Sequence, residues 1–403
     1  MNIIYISSVC AQTRFDRLVL EGKIYSQFQN QKFHHLMLNG LRNVITGDIS
    51  VVSYYPIHRA SYKTNVFEEE TEEGIKYIYP QYTNRPIIHH ISKFIGTYRQ
   101  IGKLYDKDSI IVCNIMNFDE CRAALLFRKF HRVKVCAVTA DVPGISSGAG
   151  KKKGKLWKRF LSYLAEPFYR SANSRYDGYM FLTEAMNTVV NTRSKPFIVV
   201  EGIADPRMST IENTIANKYP NKIILYAGGL HREYGVQLLV DAFRKISDSS
   251  VELHIFGSGN YESTIIEAAK SDCRIKYYGT RGNNEVIADQ IKAHILVNPR
   301  PSKEDFVKYS FPSKIIEFMA SGTPLLTTLL PCIPSEYYPY IYSIENETVD
   351  GFYHVLQDLL GRPVEELHKK GNAAKTFILA QKNPVIQGEK LKVLLDSIQS
   401  AKQ

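Results

Sequence analysis

The chemistry-bearing residues are densest in Tyr309-Ser310-Phe311-Pro312-Ser313-Lys314-Ile315-Ile316-Glu317-Phe318-Met319-Ala320-Ser321-Gly322-Thr323-Pro324, which follows Asn298-Pro299-Arg300-Pro301-Ser302. Pro312 suits a first helical position, Ser310 stands just ahead of it, and Gly322 with Pro324 stops the run, so the spacing predicts a helix of about three turns. The N-terminus of such a helix offers free N–H groups and a positive dipole end, on which a diphosphate can rest. Glu317 lies further in, on a face that a ribose beside the diphosphate reaches, and a carboxylate accepts two hydroxyl hydrogen bonds. Lys314 stands where it offsets phosphate charge.

Two glycine turns leave strand-like runs upstream. Tyr226-Ala227-Gly228-Gly229-Leu230-His231-Arg232-Glu233-Tyr234-Gly235 leads into a predicted helix over 236–245, and Phe256-Gly257-Ser258-Gly259-Asn260 follows a second apolar run. Glycine lets backbone approach a ligand, the helix start receives an anion, and Arg232 brings a charged fork. Each turn is a weak signal by itself, because βα turns also use glycine for geometry. Ser258 and Asn260 read equally as contacts to a base or ribose and as turn residues. Asp141, in Val138-Thr139-Ala140-Asp141-Val142-Pro143-Gly144, follows a strand-like run; its carboxylate suits a sugar hydroxyl or charge balance, or simply organises the turn before proline.

Lys151-Lys152-Lys153-Gly154-Lys155-Leu156-Trp157-Lys158-Arg159-Phe160 combines a basic run with apolar residues at helical spacing. Such a segment can lie on an anionic membrane surface, with Lys151, Lys152, Lys153, Lys155 and Arg159 meeting headgroups while Trp157 and Phe160 insert. It reads otherwise as a loop feeding a core helix. No metal site is expected: Asp106 and Asp108 precede a strand instead of following one, and His34-His35 and His89-His90 lack a third ligand at metal spacing. The six cysteines, Cys10, Cys113, Cys121, Cys136, Cys273 and Cys332, form no close pairs and read as buried, reduced thiols.

The elements that must position these residues alternate between short apolar runs and helical periodicity, the pattern of parallel sheets covered by helices. Strands are expected at 3–7, 49–53, 110–114, 133–139, 179–182 and 197–200, with helices near 120–130 and 156–169. A less periodic stretch from Gly202 to Pro220 reads as a linker. Strands then resume at 222–227, 251–256, 274–278, 294–298 and 325–328, and a last helix after Pro384 carries Ile386, Leu391, Val393, Leu394 and Ile398. The expected fold class is α/β: two doubly wound, Rossmann-like domains facing across a cleft, 1–201 and 202–383, with a C-terminal helix at 384–403 that can cross back to the first.

The chain of 403 residues has 44% hydrophobic and 23% charged residues, which excludes collagen-like, disordered and coiled-coil classes. Its net charge of +11 is uneven: residues 1–200 hold 28 Lys and Arg against 16 Asp and Glu, and the remainder 23 against 24. Such a bias suits an anionic partner surface. Membrane lipid is the expected partner and nucleic acid is not, since no nucleic-acid module accompanies the charge. No apolar run is long enough to span a bilayer, and the start lacks a basic leader, so a cytoplasmic, peripheral protein at the inner membrane face is expected.

The block 222–328 resembles the donor-binding domain of glycosyltransferase family 4, glycosyl transferases of group 1 with the GT-B fold. The resemblance rests on Leu225-Tyr226-Ala227-Gly228-Gly229-Leu230 with Tyr234-Gly235 and Leu238-Leu239-Val240-Asp241-Ala242-Phe243, on Ile255-Phe256-Gly257-Ser258-Gly259, and on Pro312 through Pro324. It implies transfer of a sugar from a nucleotide-diphosphate donor, a UDP-sugar by preference, with retention of configuration and without metal or other cofactor. It also implies that Glu317 holds the donor ribose, that backbone near Gly228 and Gly229 holds the diphosphate, and that Asp141 lies near the reacting sugar; Asp141 and Glu317 are thus the candidate catalytic pair. Gly257, Ser258, Ser310, Pro312 and Ser313 complete the candidate donor site. Three positions depart from the family pattern. Tyr309 stands where the first of two glutamates is usual, Gly229 where an arginine is usual, and Tyr234 where a lysine is usual, so Arg232 and Lys314 are the substitutes expected on charge and position. A lipid-linked oligosaccharide acceptor in cell-surface polysaccharide assembly is the expected partner. A sugar-nucleotide epimerase of the same architecture, or a non-catalytic partner subunit, are the other readings.

Overall fold

The computed structural model describes residues 1–22, 28–54, 64–65, 67–83, 85, 87–142 and 175–401. The basic segment with Lys151, Lys152, Lys153, Lys155, Trp157, Arg159 and Phe160, and the helix expected at 156–169, lie outside the described residues. The chain divides into two compact units, one made of the described residues from Met1 to Ile203 together with the segment from Pro384, the other running from Ala204 to Asn383.

In the first unit the apolar runs become β1 (Asn2–Ser7), β2 (Ile49–Ser53), β3 (Thr64–Asn65), β4 (Glu70–Glu72), β5 (Ile75–Ile78), β6 (Tyr82–Thr83), β7 (Ser109–Asn114), β8 (Lys134–Thr139), β9 (Gly178–Phe181) and β10 (Phe197–Val199). Eight of them form a sheet in the order β10-β9-β8-β7-β1-β2-β5-β4, parallel except for edge strand β4. Every residue of β7 is buried, which is why its sequence is a continuous apolar run without alternation. The helices are α1 (Gln12–Leu20), α2 (Phe28–Val44), α3 (Ile88–Leu104), α4 (Phe118–His131) and α5 (Glu184–Val190).

His34 of α2 is buried in this core. The Asn114 amide donates to its Nε2 at 2.9 Å, so Nδ1 carries the proton and faces the Tyr5 hydroxyl at 2.7 Å. Burial holds the imidazole pKa down to about 3, so the ring is a neutral bridge between α2 and the sheet. Asp106 likewise organises a turn, its carboxylate accepting from Asp108 N–H, Ser109 Oγ and Asn2 Nδ2. Cys273 is exposed, against the expectation of burial, because it sits in the turn between a helix and a strand; the other five cysteines are buried.

The second unit contains β11 (Lys222–Ala227), β12 (Val251–Phe256), β13 (Ile275–Gly279), β14 (Ile295–Asn298), β15 (Leu325–Thr328) and β16 (Tyr342–Ile344). Their order, β13-β12-β11-β14-β15-β16, is all parallel and reverses direction between β11 and β14. Between and after these strands come α6 (Val236–Arg244), α7 (Glu262–Ser271), α8 (Asn283–Lys292), α9 (Ser313–Ser321), α10 (Val349–Gly361) and α11 (Val364–Gln381). Helix α6 shows how they are held: Val236, Leu239, Val240 and Phe243 form one buried stripe, each such side chain contributing roughly 1.5–3 kcal/mol. The stretch read as a linker is packed within this unit, with the Asn213 amide donating to Ser321 O at 2.9 Å and Lys218 Nζ donating to the carbonyls of Ile291 and Ala293 at 2.8 Å each.

The last helix, α12 (Pro384–Ser400), belongs to the first unit and packs along α2. Leu391, Leu394 and Ile398 are buried there, whereas Val393 is exposed because it falls off their three-to-four-residue spacing. The helices meet at glycines: a Cβ on Gly388 would lie 2.4 Å from the Gly40 carbonyl carbon, and one on Gly40 would lie 2.0 Å from the Pro384 carbonyl oxygen. No side chain fits between backbones that close. Gly388→Ala should therefore destabilise the protein by about 1–3 kcal/mol, read as a lower urea midpoint; an unchanged midpoint would refute the backbone-to-backbone contact.

Candidate active site

Ligands of open parallel sheets bind outside the carboxyl ends of the strands, where strand order reverses. In the second unit that point lies between β11 and β14, and the loops leaving them are Gly228-Gly229-Leu230 and Pro299-Arg300-Pro301. The loop after β12 joins them. Gly228 N–H donates to Phe256 O, Leu230 N–H to Ser258 O, and Tyr261 N–H to Leu230 O.

Glycine is required at two of these positions by geometry. Gly257 has φ +127°, and a Cβ there would lie 1.8 Å from Gly228 O. Gly235, at φ +76°, packs so that a Cβ would lie 2.0 Å from Pro299 O. These residues lock three loops together, a role distinct from the ligand approach that the sequence suggests. Ser258 and Asn260 are exposed on the rim, and Gly228 and Gly229 remain half-buried. Arg232 is exposed in a 3-10 turn, Arg232–Tyr234, that separates the glycine turn from α6, so the turn does not enter that helix directly.

Helix α9 begins at Ser313, with Pro312 as its N-cap and no side chain capping it. This corrects the expected register by one residue: Pro312 keeps an extended ψ of 105°, and Ser310 lies two residues further out. Gly322, at φ +78°, terminates the helix as expected. Buried Ile315, Ile316, Phe318, Met319 and Ala320 hold it against the sheet, leaving Lys314 and Glu317 on the remaining face. Glu317 Oε1 accepts from Lys314 Nζ and from Gln290 Nε2 of α8, both at 3.0 Å, and its side chain is 8% exposed. The Lys314 charge is thus directed at Glu317. Tyr309 is half-buried, with the Lys308 ammonium 5.1 Å from its ring centroid.

Arg300 was not among the expected site residues. It is 7% exposed, its guanidinium lies 4.7 Å from the Phe306 ring centroid and 5.3 Å from that of Tyr234, and Nη1 reaches Ser310 O at 3.4 Å. The only sequence signal was an arginine one residue beyond an apolar strand and its proline. Asp141 follows β8 in the first unit, half-buried; its Oδ1 accepts the Val142 N–H at 2.9 Å, and burial pushes its pKa up. Gly228, Gly229, Gly257, Ser258 and Ser310 are brought to one end of the second sheet.

Residues 221–361 match the family profile described as Glycosyl transferases group 1. No curated protein matches the chain in sequence. Among solved structures, sucrose-phosphate synthase from Thermosynechococcus elongatus superposes with a TM-score of 0.71 at 13% identity, covering 100% of both chains. A lipopolysaccharide outer core galactosyltransferase in its apo form gives 0.63 at 14% identity, over 98% of this chain and 99% of that one. An Anabaena protein in complex with UDP gives 0.64 at 10% identity, over 98% and 100%. At such identities the likeness is one of fold, and the fold is GT-B, two Rossmann-like units.

Because Gly257 holds its loop against Gly228 backbone, Gly257→Ala should disturb the sheet's carboxyl end. The expected result is a stability loss of about 1–3 kcal/mol in chemical denaturation; a wild-type midpoint would show that the loops are not locked there.

Proposed function

We propose, from the match of residues 221–361 to the group 1 glycosyl transferases and from the GT-B fold, that the chain is a glycosyltransferase that moves a sugar from a nucleotide-diphosphate donor, by preference a UDP-sugar, to a lipid-linked oligosaccharide. The observation that carries the donor reading is the convergence, at the strand-order reversal of the second unit, of the glycine turn after β11, the uncapped N-terminus of α9 and the largely buried carboxylate of Glu317. The donor diphosphate lies against the first two, and its ribose hydroxyls meet Glu317. In the transfer, the bond between the anomeric carbon and the diphosphate oxygen breaks and the acceptor hydroxyl oxygen takes its place. The hydroxyl proton leaves with the nucleoside diphosphate. Configuration at the anomeric carbon is retained, and the protein's contribution is positional and electrostatic, requiring no metal: charge that develops on the leaving diphosphate is met by fixed N–H dipoles and cations.

The lipid-linked acceptor is supported by the first unit. It carries the excess of basic residues, and α3 turns Ile88, Ile91 and Ile95 outward at helical spacing, an exposed apolar stripe that fits a leaflet boundary. Among the described residues no helix is long and apolar enough to cross a membrane; the contact in this reading is peripheral, at a cytoplasmic membrane face during polysaccharide assembly.

Thermal unfolding with UDP, GDP, CMP and NAD at millimolar concentration tests the donor reading. A nucleoside diphosphate at about 100 times its dissociation constant raises stability by roughly 2.7 kcal/mol, and Glu317→Ala should abolish most of that shift. No shift with any nucleotide, or an undiminished one in the variant, refutes the assignment. Vesicle flotation tests the surface: binding to anionic but not neutral vesicles is expected, and it should weaken when Ile88, Ile91 and Ile95 become serine or when Lys151, Lys152, Lys153 and Lys155 become glutamine. Equal flotation of all variants argues against membrane docking.

A further inference from the structure

Arg300 is a buried cation whose surroundings do not account for its charge. Its backbone carbonyl is fixed by the Thr328 hydroxyl, and its guanidinium lies between the rings of Phe306 and Tyr234. The ionisable groups bearing on it are Tyr234, Cys332 and Tyr226. Burial keeps the Tyr226 phenol and the Cys332 thiol protonated, the thiol pKa being pushed up to about 12. No carboxylate faces the guanidinium among the described residues. Among the described residues its side chain's single hydrogen bond is the long one to Ser310 O at 3.4 Å, and its Nε has no partner. A buried charge without a counter-ion lowers stability, and five donors in a rigid fork ask for an oxyanion.

The position indicates which oxyanion. Arg300 follows β14 at the strand-order reversal, and Nη1 points to Ser310, just ahead of the uncapped start of nine-residue α9. A 93%-buried, underpaired guanidinium and an open helix N-terminus therefore face the same place. Tyr234 and Gly229 stand where the family resemblance expects cations, and the Arg300 guanidinium lies over the Tyr234 ring. Arg232 is exposed and Lys314 is paired with Glu317, so neither takes that place. We infer that Arg300 is the cation that binds the donor diphosphate, replacing from the β14 loop the basic residues absent from the β11 loop. The inference rests on the donor reading above and names the residue that this chain uses for it.

The test is titration calorimetry of the full chain and its Arg300→Gln and Arg300→Lys variants with UDP, GDP, uridine, guanosine and inorganic pyrophosphate, alongside unliganded melting. The glutamine variant should lose about tenfold or more in nucleoside-diphosphate affinity while keeping nucleoside affinity, and its unliganded melting temperature should not fall. The lysine variant, which keeps charge but not the fork, should lie between. Pyrophosphate binding that vanishes in the glutamine variant, with no binding of either nucleoside, would make the site one for free phosphates and overturn the donor assignment. Equal loss of diphosphate and nucleoside binding would make Arg300 merely structural. If the wild type binds UDP or GDP and the glutamine variant binds it as well, the inference fails while the donor reading stands; if the wild type binds neither, both fail.

Discussion

At the carboxyl end of the second sheet, backbone segments from three loops approach more closely than any side chain permits, and the candidate site is built on that approach. Gly257 lies against Gly228, Gly259 against Leu230, and Gly235 against Pro299. The consequence is rigidity where flexibility would be expected of glycine. Each loop is ordered by its neighbours, so the residues they carry keep fixed positions without large side chains filling the space above them. The loops form a floor of backbone whose N–H and C=O groups are paired from one loop to the next.

Charge is then distributed over this floor in an economical way. Lys314 and Glu317, one turn apart on α9, are paired, and Gln290 fixes the same carboxylate oxygen from α8. That arrangement orients Glu317, which in the proposed reaction receives ribose hydroxyls, and it withdraws Lys314 from the diphosphate. Positive features near the helix start include its dipole and Arg300. The first unit solves a different problem with the same physics: burial holds His34 neutral, and Asn114 and Tyr5 satisfy both ring nitrogens, so the buried ring needs no counter-charge.

Much of this architecture is legible in the sequence, for identifiable reasons. Strands buried on both faces, such as β7 and β11, must be continuous apolar runs, and Ile110-Ile111-Val112-Cys113 and Ile223-Ile224-Leu225 announce them. Proline before and glycine after its apolar stripe mark α9 to within one residue. Edge strand β4 gives no such signal: Glu70-Thr71-Glu72 forms it because β5 supplies hydrogen bonds, and its glutamates serve Arg14 and the N-terminus of α1. The glycines were visible, but their partners were not. Gly257 touches Gly228, 29 positions earlier, and no local pattern encodes that contact. Arg300 was hidden for the same reason, since its side chain is covered by Tyr234, from the turn after β11, and its carbonyl is held by Thr328 at the end of β15.

How Arg300 is held bears on what it can do. A carboxylate partner would orient a guanidinium well, but it would also neutralise it and compete with any incoming phosphate. Aromatic faces orient it differently. The rings of Phe306 and Tyr234 restrict the plane of the fork through stacking and quadrupole attraction, while the net charge and most N–H donors stay uncommitted. The Thr328 hydroxyl fixes the backbone below, so little side-chain entropy remains to be lost when an anion arrives. A cation prepared in this way acts most strongly when negative charge grows, as it does on a leaving diphosphate, because the surrounding low-dielectric packing leaves little water to screen the interaction. Holding the arginine with aromatic rings in place of an acid therefore gives the candidate site both fixed geometry and an unspent charge.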